Sequence, residues 1–179
     1  MDAAEQLLIE EGYAAVTSRR VGTEAGLKPQ LVHYYFRTMD DLFTEVLRRR
    51  ADENLARFER AIASDGSLRT LWELNADPRG TAFSLEFVAL ANHRKAIRAE
   101  IARYAERLRA AQLEAISAAL EVQGVTAEQL PPVVALLLVT GLSQVLAIER
   151  ALGVTAGHDD TSAFVASLID RLEGNVSRD

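Results

Sequence analysis

The span from Thr17 to Phe36, TSRRVGTEAGLKPQLVHYYF, constrains the fold more than any other part of the chain. It carries the punctuation of two short helices joined by a tight turn. Thr17 is placed to cap the first helix through its hydroxyl, and Val21 and Ala25 lie one turn apart on a face suited to burial. Gly22 leaves room for close packing, and Gly26 permits the left-handed backbone that ends a helix. Pro29 suits the first position of a second helix, where a missing N–H costs nothing. That helix divides into two stripes. Leu31, Val32, Tyr35 and Phe36 are expected inward, while Pro29, Gln30, His33 and Tyr34 recur on the opposite side and offer amide, imidazole and phenol groups. A polar outer stripe on a short helix suits the DNA major groove.

With its flanks, from about Ala3 to Leu47, this stretch resembles the TetR family of bacterial transcriptional regulators. The resemblance rests on AAEQLLIEEGYAAVTSRRV around the end of helix one, the turn EAGL, the recognition-helix ending HYYF and the exit TMDDLFTEVL. Gly12, Thr17, Val21, Ala25, Gly26, Tyr35, Phe36 and Leu42 all fall in one register, which is far more specific than a single glycine turn. Lys28 stands where family members usually carry Ser, so it lacks a side-chain cap and adds a phosphate-seeking cation. Met39 stands where Lys or Arg is common. The chain begins inside what the resemblance implies is the first helix, without the basic arm that commonly precedes it. Thr38 and Asp41 form a capping box for the next helix, with Asp in place of the commoner Glu.

The expected DNA-contacting residues are Thr17, Ser18, Arg19, Lys28, Pro29, Gln30, His33, Tyr34 and Arg37. Gln30, early in the helix, can pair bidentately with adenine. The net charge of −6 weighs against a nucleic-acid partner, but distribution matters more than the total. Arg19, Arg20, Lys28 and Arg37 cluster around the proposed DNA face, and at least one arginine among them is expected to be an ordinary surface cation. The triple Arg48 to Arg50 continues a long helix away from the motif and is expected on a solvated face.

Elsewhere, apolar positions recur at steps of three and four, with Ala, Leu, Glu and Arg dominant, so the fold is expected to be all-α. One helix is expected from Met39 to about Ala63, broken by SDGS at Ser64 to Ser67. A short helix over Leu68 to Asn75 is ended by ADPRG, and Thr81 to Leu120 reads as two helices with a bend near Asn92 to Lys95. Val133 to Ile148 contains no charged residue, yet it is shorter than the roughly 20 apolar residues of a membrane span and carries Thr140, Gly141, Ser143 and Gln144. It reads as a helix covered on two sides, one by its own subunit and one by a partner. Phe164, Val165, Leu168, Ile169 and Leu172 form a second apolar stripe. The resemblance implies that two such helices per subunit build a four-helix dimer interface. It also implies a helix-turn-helix domain over residues 1–46 and a larger helical domain for effector binding and dimerisation over residues 47–179.

The absence of cysteine excludes disulfides, thiolate metal sites and cysteine nucleophiles. The N-terminus lacks the charged-then-apolar progression of a signal peptide, and a cytoplasmic location is expected. His93 with Glu86 and Glu100 is spaced too widely for one metal ion, and His158 is expected in a loop. No phosphate loop, nucleophile elbow or paired-carboxylate motif is present, so neither enzyme nor cofactor is expected. Trp72, Phe83, Phe87, Leu90 and Tyr104 are either core or, as the resemblance implies for the middle helices, the lining of a site for a small apolar or aromatic effector. The chain reads as a homodimeric regulator, a repressor of double-stranded DNA targets without a membrane partner. The alternative is a helical dimeric interaction protein that does not bind DNA.

Overall fold

The computed structural model describes residues 1–174, apart from the side chains of residues 78 and 79; the end of the expected C-terminal domain, at residue 179, lies outside them. Among the described residues there is no strand. The helices are α1 (Asp2–Glu11), α2 (Ser18–Glu24), α3 (Pro29–Tyr35), α4 (Met39–Ser64), α5 (Leu68–Asn75), α6 (Pro78–Ala91), α7 (Lys95–Val122), α8 (Pro132–Ala151) and α9 (His158–Gly174), with a single 3-10 turn at Tyr13–Ala15. ADPRG ends α5 as expected, but the next helix starts at Pro78 rather than Thr81, because proline is at ease in a first helical turn.

The chain divides into two compact units, Met1–Leu55 with Ala82–Arg107, and Ala56–Thr81 with Leu108–Asp179. In the first, Leu7 and Leu8 of α1, Val21 of α2 and Val32 of α3 pack with Leu42, Phe43 and Val46 of α4. The same core takes in Phe83, Phe87 and Leu90 of α6 and Ile97 of α7. The helix-turn-helix segment therefore does not close a core alone. Polar contacts bind the same elements. Glu86 of α6 accepts the Tyr13 backbone N–H at 2.9 Å. Gly12, just before it, has φ 81 and ψ 167, a conformation that only glycine adopts readily.

The expectation of a solvated arginine triple holds for Arg48, which is exposed, and needs correction for Arg49 and Arg50. Arg49 lies half-buried and pairs with Asp2 and with Glu5 at 2.9 Å. Arg50 sits 3.6 Å from Glu5 and 5.9 Å from the centre of the Phe83 ring. Arg48 bridges Glu45 and, at 3.0 Å, Glu100 of α7. That hydrogen bond, with Arg103 also beside the carboxylate, holds Glu100 below the usual carboxylate range. Helical extrapolation puts the three arginines on the outside of α4, but α1 and α7 bring carboxylates to that side.

The second unit packs Phe58 of α4 and Leu71 of α5 with Ile116 and Leu120 of α7 and Ala135 and Leu136 of α8. Ser67 caps α5 by accepting the Thr70 N–H at 3.1 Å, and Asp65 accepts from Thr70 Oγ1 at 2.6 Å. One side of α8 is buried through Ala135, Leu136, Ser143, Leu146 and Ala147. Its other side leaves Leu137, Leu138 and Val145 at least half exposed. On α9 only Ile169 of the expected stripe is buried, while Phe164 is 62% and Leu168 40% exposed. His158 is not in a loop: it opens α9, is buried, and pairs with Glu149 through Nε2 at 2.9 Å.

Candidate DNA-contacting helix-turn-helix

Local chemistry fixes the start of α2. The Thr17 backbone is extended, with φ −120 and ψ 156, and its hydroxyl accepts the Arg20 N–H at 3.2 Å. At the other end, Gly26 has φ 66, and the Leu27 N–H reaches back to the Gly22 carbonyl at 2.8 Å. Gly22 does more than permit packing. A Cβ there would lie 3.0 Å from the Leu27 carbonyl oxygen and 3.2 Å from Cα and N of Pro29. The start of α3 thus crosses α2 so closely that any side chain at position 22 would press on its backbone. Ala25 is exposed rather than buried, so Val21 alone carries the inner face of α2.

Helix α3 begins with Pro29 in its first turn and Lys28 as its N-cap, without a side-chain cap. Val32 is the one fully buried residue of the helix, and Phe36, just past its end, packs against the same core. The expected inward stripe is too wide by two residues. Leu31 is 40% exposed, and Tyr35 is 70% exposed. Val32 and Phe36 are one turn apart and fill the available core; Leu31 and Tyr35 are also one turn apart, but a hundred-degree step around the helix takes them past its edge. Tyr35 instead meets Tyr34 edge-on, with ring centres 5.3 Å apart and planes at 85°. The pair stands beside exposed Gln30 and His33. Tyr35 thus joins the outer face, which the spacing alone had missed; its hydroxyl, with no partner to find among Leu, Val and Ala side chains, was the signal.

Thr17, Arg19, Lys28, Gln30, His33, Tyr34 and Arg37 are exposed, and Ser18 and Pro29 are half-buried. All lie on the two helices of the motif or their flanks. The arginine withdrawn from this face is Arg20, which pairs with Glu11 at 2.5 Å. The capping box forms as expected: the Thr38 N–H donates to Asp41 Oδ2 at 2.9 Å, and the Asp41 N–H donates to Thr38 Oγ1 at 3.1 Å. It turns the chain from α3 into α4 and fixes where Arg37 projects.

The five residues weighed as core or effector lining separate. Phe83, Phe87 and Leu90 come together inside the first unit, where Phe87 and Leu90 are each 1% exposed and the two phenyl rings lie 4.6 Å apart. Anything reaching them would have to displace core packing. Tyr104, half-buried in the same unit, accepts a hydrogen bond from Asn54 Nδ2 at 2.6 Å. Trp72 belongs to α5 in the second unit and is half-buried. Among the described residues no group of His, Asp and Glu could hold a metal ion; Glu86 and Glu100 are engaged with the Tyr13 backbone and Arg48.

Comparison with known proteins gives the motif its place. Residues 1–46 match the family model for bacterial regulatory proteins, tetR family. No match is found among curated proteins. Among solved structures, a proposed transcriptional regulator from Saccharomonospora viridis, in complex with choline, is 20% identical with a TM-score of 0.75, over 99% of this chain and 93% of that one. One from Streptomyces coelicolor A3(2) is 23% identical with a TM-score of 0.62, over 96% and 94%. A proposed tetR-family regulator from Mesorhizobium loti MAFF303099 is 19% identical with a TM-score of 0.66, over 86% and 81%. These likenesses concern the fold of the chain, and the family match covers residues 1–46. Capped at Thr17, crossed at Gly22 and burying only Val32 of α3, residues 1–46 form a helix-turn-helix segment similar to the DNA-binding domain of tetR-family regulators.

Proposed function

We propose that the protein is a repressor that binds a near-palindromic operator as a homodimer and releases it when a small effector binds. The observation that carries this reading is the exposure of α3: a seven-residue helix, buried only at Val32, presents Gln30, His33, Tyr34 and Tyr35 together on a rigid turn. In this reading Gln30 reads a base edge, Lys28, Arg19 and Arg37 hold phosphates, and Thr17, Ser18, Pro29, His33 and Tyr34 position the helix. The half-sites are spaced by whole helical turns. Sequencing the DNA retained from a pool of genomic fragments supplies the operator. On it, Lys28→Ala weakens binding to all sequences and lowers the salt slope by about one, whereas Gln30→Ala relaxes preference at one base position by about 1–3 kcal/mol. Equal losses on operator and random duplexes from Gln30→Ala would remove it from base reading.

The dimer is supported by the outer faces of α8 and α9, where Leu137, Leu138, Val145, Phe164 and Leu168 form exposed apolar surface on a chain of −6 net charge. Helix α8 is long and apolar enough to cross a membrane, but its Ala135 and Leu136 side packs in the core of the second unit, which favours a subunit partner on the other side. The location is then the cytoplasm, where the operator is.

The effector is read as apolar or aromatic with one or two polar groups. Choline, held by the Saccharomonospora viridis protein, is one candidate chemistry, since a quaternary ammonium is attracted to an aromatic face such as that of the half-buried Trp72. A thermal-shift panel of choline and small aromatic compounds is expected to yield a ligand that raises Tm by mass action and releases DNA, while highly charged metabolites do neither. A ligand that stabilises the protein without weakening operator binding would argue against the inducer reading.

A further inference from the structure

The cations of the first unit fall into two groups by their partners. Arg20, the arginine triple on α4, Arg103 and Arg107 each pair with a carboxylate, Arg107 with Asp52 at 3.0 Å. Arg94, in the turn between α6 and α7, pairs with Asp40. Arg19, Lys28 and Arg37, on or beside the DNA-facing motif, make no ion pair among the described residues, and the same holds for Lys95 and Arg98 in the first turn of α7. Lys95, Arg98 and the neighbouring His93 are all exposed.

Nothing in the stability of α7 accounts for those two cations. The first turn of a helix favours acidic side chains, because its free N–H groups carry partial positive charge, and α7 has none there. Carboxylates of α4 and α7 in the same unit are already engaged: Asp40 with Arg94, Asp41 in the capping box, Glu45 and Glu100 with Arg48. The positive charge of Lys95 and Arg98 therefore stands unopposed.

Its placement is set by its neighbours. The Arg94 guanidinium lies 5.7 Å from the centre of the Phe43 ring as well as against Asp40, and Ile97 is 0% exposed inside the shared core. This pins the α6–α7 turn against the first turn of α4, and α4 follows α3 after only Phe36, Arg37 and Thr38. Lys95 and Arg98, three residues apart on one face of α7, follow directly on the Arg94 that is held against Asp40 and Phe43 of α4.

We infer that the α6–α7 turn is a second phosphate-contacting patch, in which Lys95 and Arg98, with His93 beside them, hold the DNA backbone next to the half-site read by α3. The inference rests on the DNA-binding reading of residues 1–46, and its occupant is the sugar-phosphate backbone of the same duplex, without base preference. A chain carrying net negative charge approaches DNA through locally unopposed cations, and this patch enlarges the surface on which it can do so.

The test is the salt dependence of binding to a labelled random-sequence duplex, followed by fluorescence anisotropy. Each phosphate contact contributes a slope of about 0.9 in log K against log salt. The double variant Lys95→Ala/Arg98→Ala is expected to lower the slope by about two, and Lys95→Glu/Arg98→Glu by more, with thermal melting not lowered, because both side chains are exposed and the first turn of α7 favours acidic over basic groups. Discrimination between operator and random duplex should stay as in the parent protein. Lys28→Ala, run alongside, reports on the motif itself. A normal loss in Lys28→Ala with no change in either double variant overturns the second patch and leaves the motif standing. Absence of duplex binding by the parent protein overturns both.

Discussion

Phe164→Glu on α9 is expected to split the proposed homodimer and leave a folded monomer. Phe164 is 62% exposed within its own chain, so the substitution removes little of the subunit core. In the proposed four-helix seam, however, the new carboxylate would be desolvated among Leu137, Leu138 and Leu168 without a cation to meet it. A penalty of several kcal/mol corresponds to a rise of more than about a hundredfold in the dimer Kd. Leu168→Glu acts in the same direction but also touches the half-covered edge of α9, which makes it the less clean variant. Sedimentation velocity over a concentration series reads the split, with far-UV circular dichroism to confirm retained helix. Operator affinity should fall in parallel, because each half-site then binds alone. A parent protein that sediments as a monomer at micromolar concentration, or a Phe164→Glu variant that remains dimeric, would move the interface elsewhere.

Gly22→Val should abolish operator binding with a smaller loss of global stability. The atoms that a side chain at Gly22 would strike are the Leu27 carbonyl and the Pro29 backbone, neither of which can rotate out of the way. Even alanine would have to push α3 away by a few tenths of an ångström, and two further methyl groups move it more. Overpacking of this kind costs about 1–3 kcal/mol. In the proposed reading the larger effect is geometric, since α3 would have to enter the groove at one fixed angle for Gln30 and Lys28 to reach DNA together. Gel shift on the operator reads the loss, and a thermal melt separates it from unfolding. Retained operator affinity in Gly22→Val would mean that the angle between α2 and α3 is not fixed by this crossing.

Much of the motif is legible in the residues because its determinants are local. Thr17, Gly22, Gly26, Pro29 and the pair Thr38 and Asp41 act on backbone within a few positions of themselves, and each does what its chemistry suggests. The same holds for the break at SDGS and for the buried side of α8. What escapes is set by distant segments. Tyr35 shares the helical spacing of Val32 and Phe36, and only the width of the core beneath α3 decides that it stays outside. Arg49 and Arg50 look solvated until α1 brings Asp2 and Glu5 to them. His158 follows Gly157, whose φ of 79 ends a turn, so the residue falls on the helical side of a boundary that composition blurs. Phe83, Phe87 and Leu90 recur at helical spacing that is the same for a pocket as for a core; their burial beside Leu8 and Leu42 comes from long-range packing.

The core shared by α1 to α4 with α6 and the first turn of α7 bears on how such a regulator can be recombined. A chimera joined at residue 46 would carry Leu42, Phe43 and Val46 away from Phe83, Phe87, Leu90 and Ile97, exposing apolar surface on both halves of the cut. The transplantable module is instead discontinuous: Met1–Leu55 together with Ala82–Arg107, two stretches of chain that must travel as one. Between those stretches, residues 56–81 are an excursion that leaves the block and returns to it. A graft that replaces the excursion and the chain beyond Arg107 leaves the first unit with the helices that complete its interior.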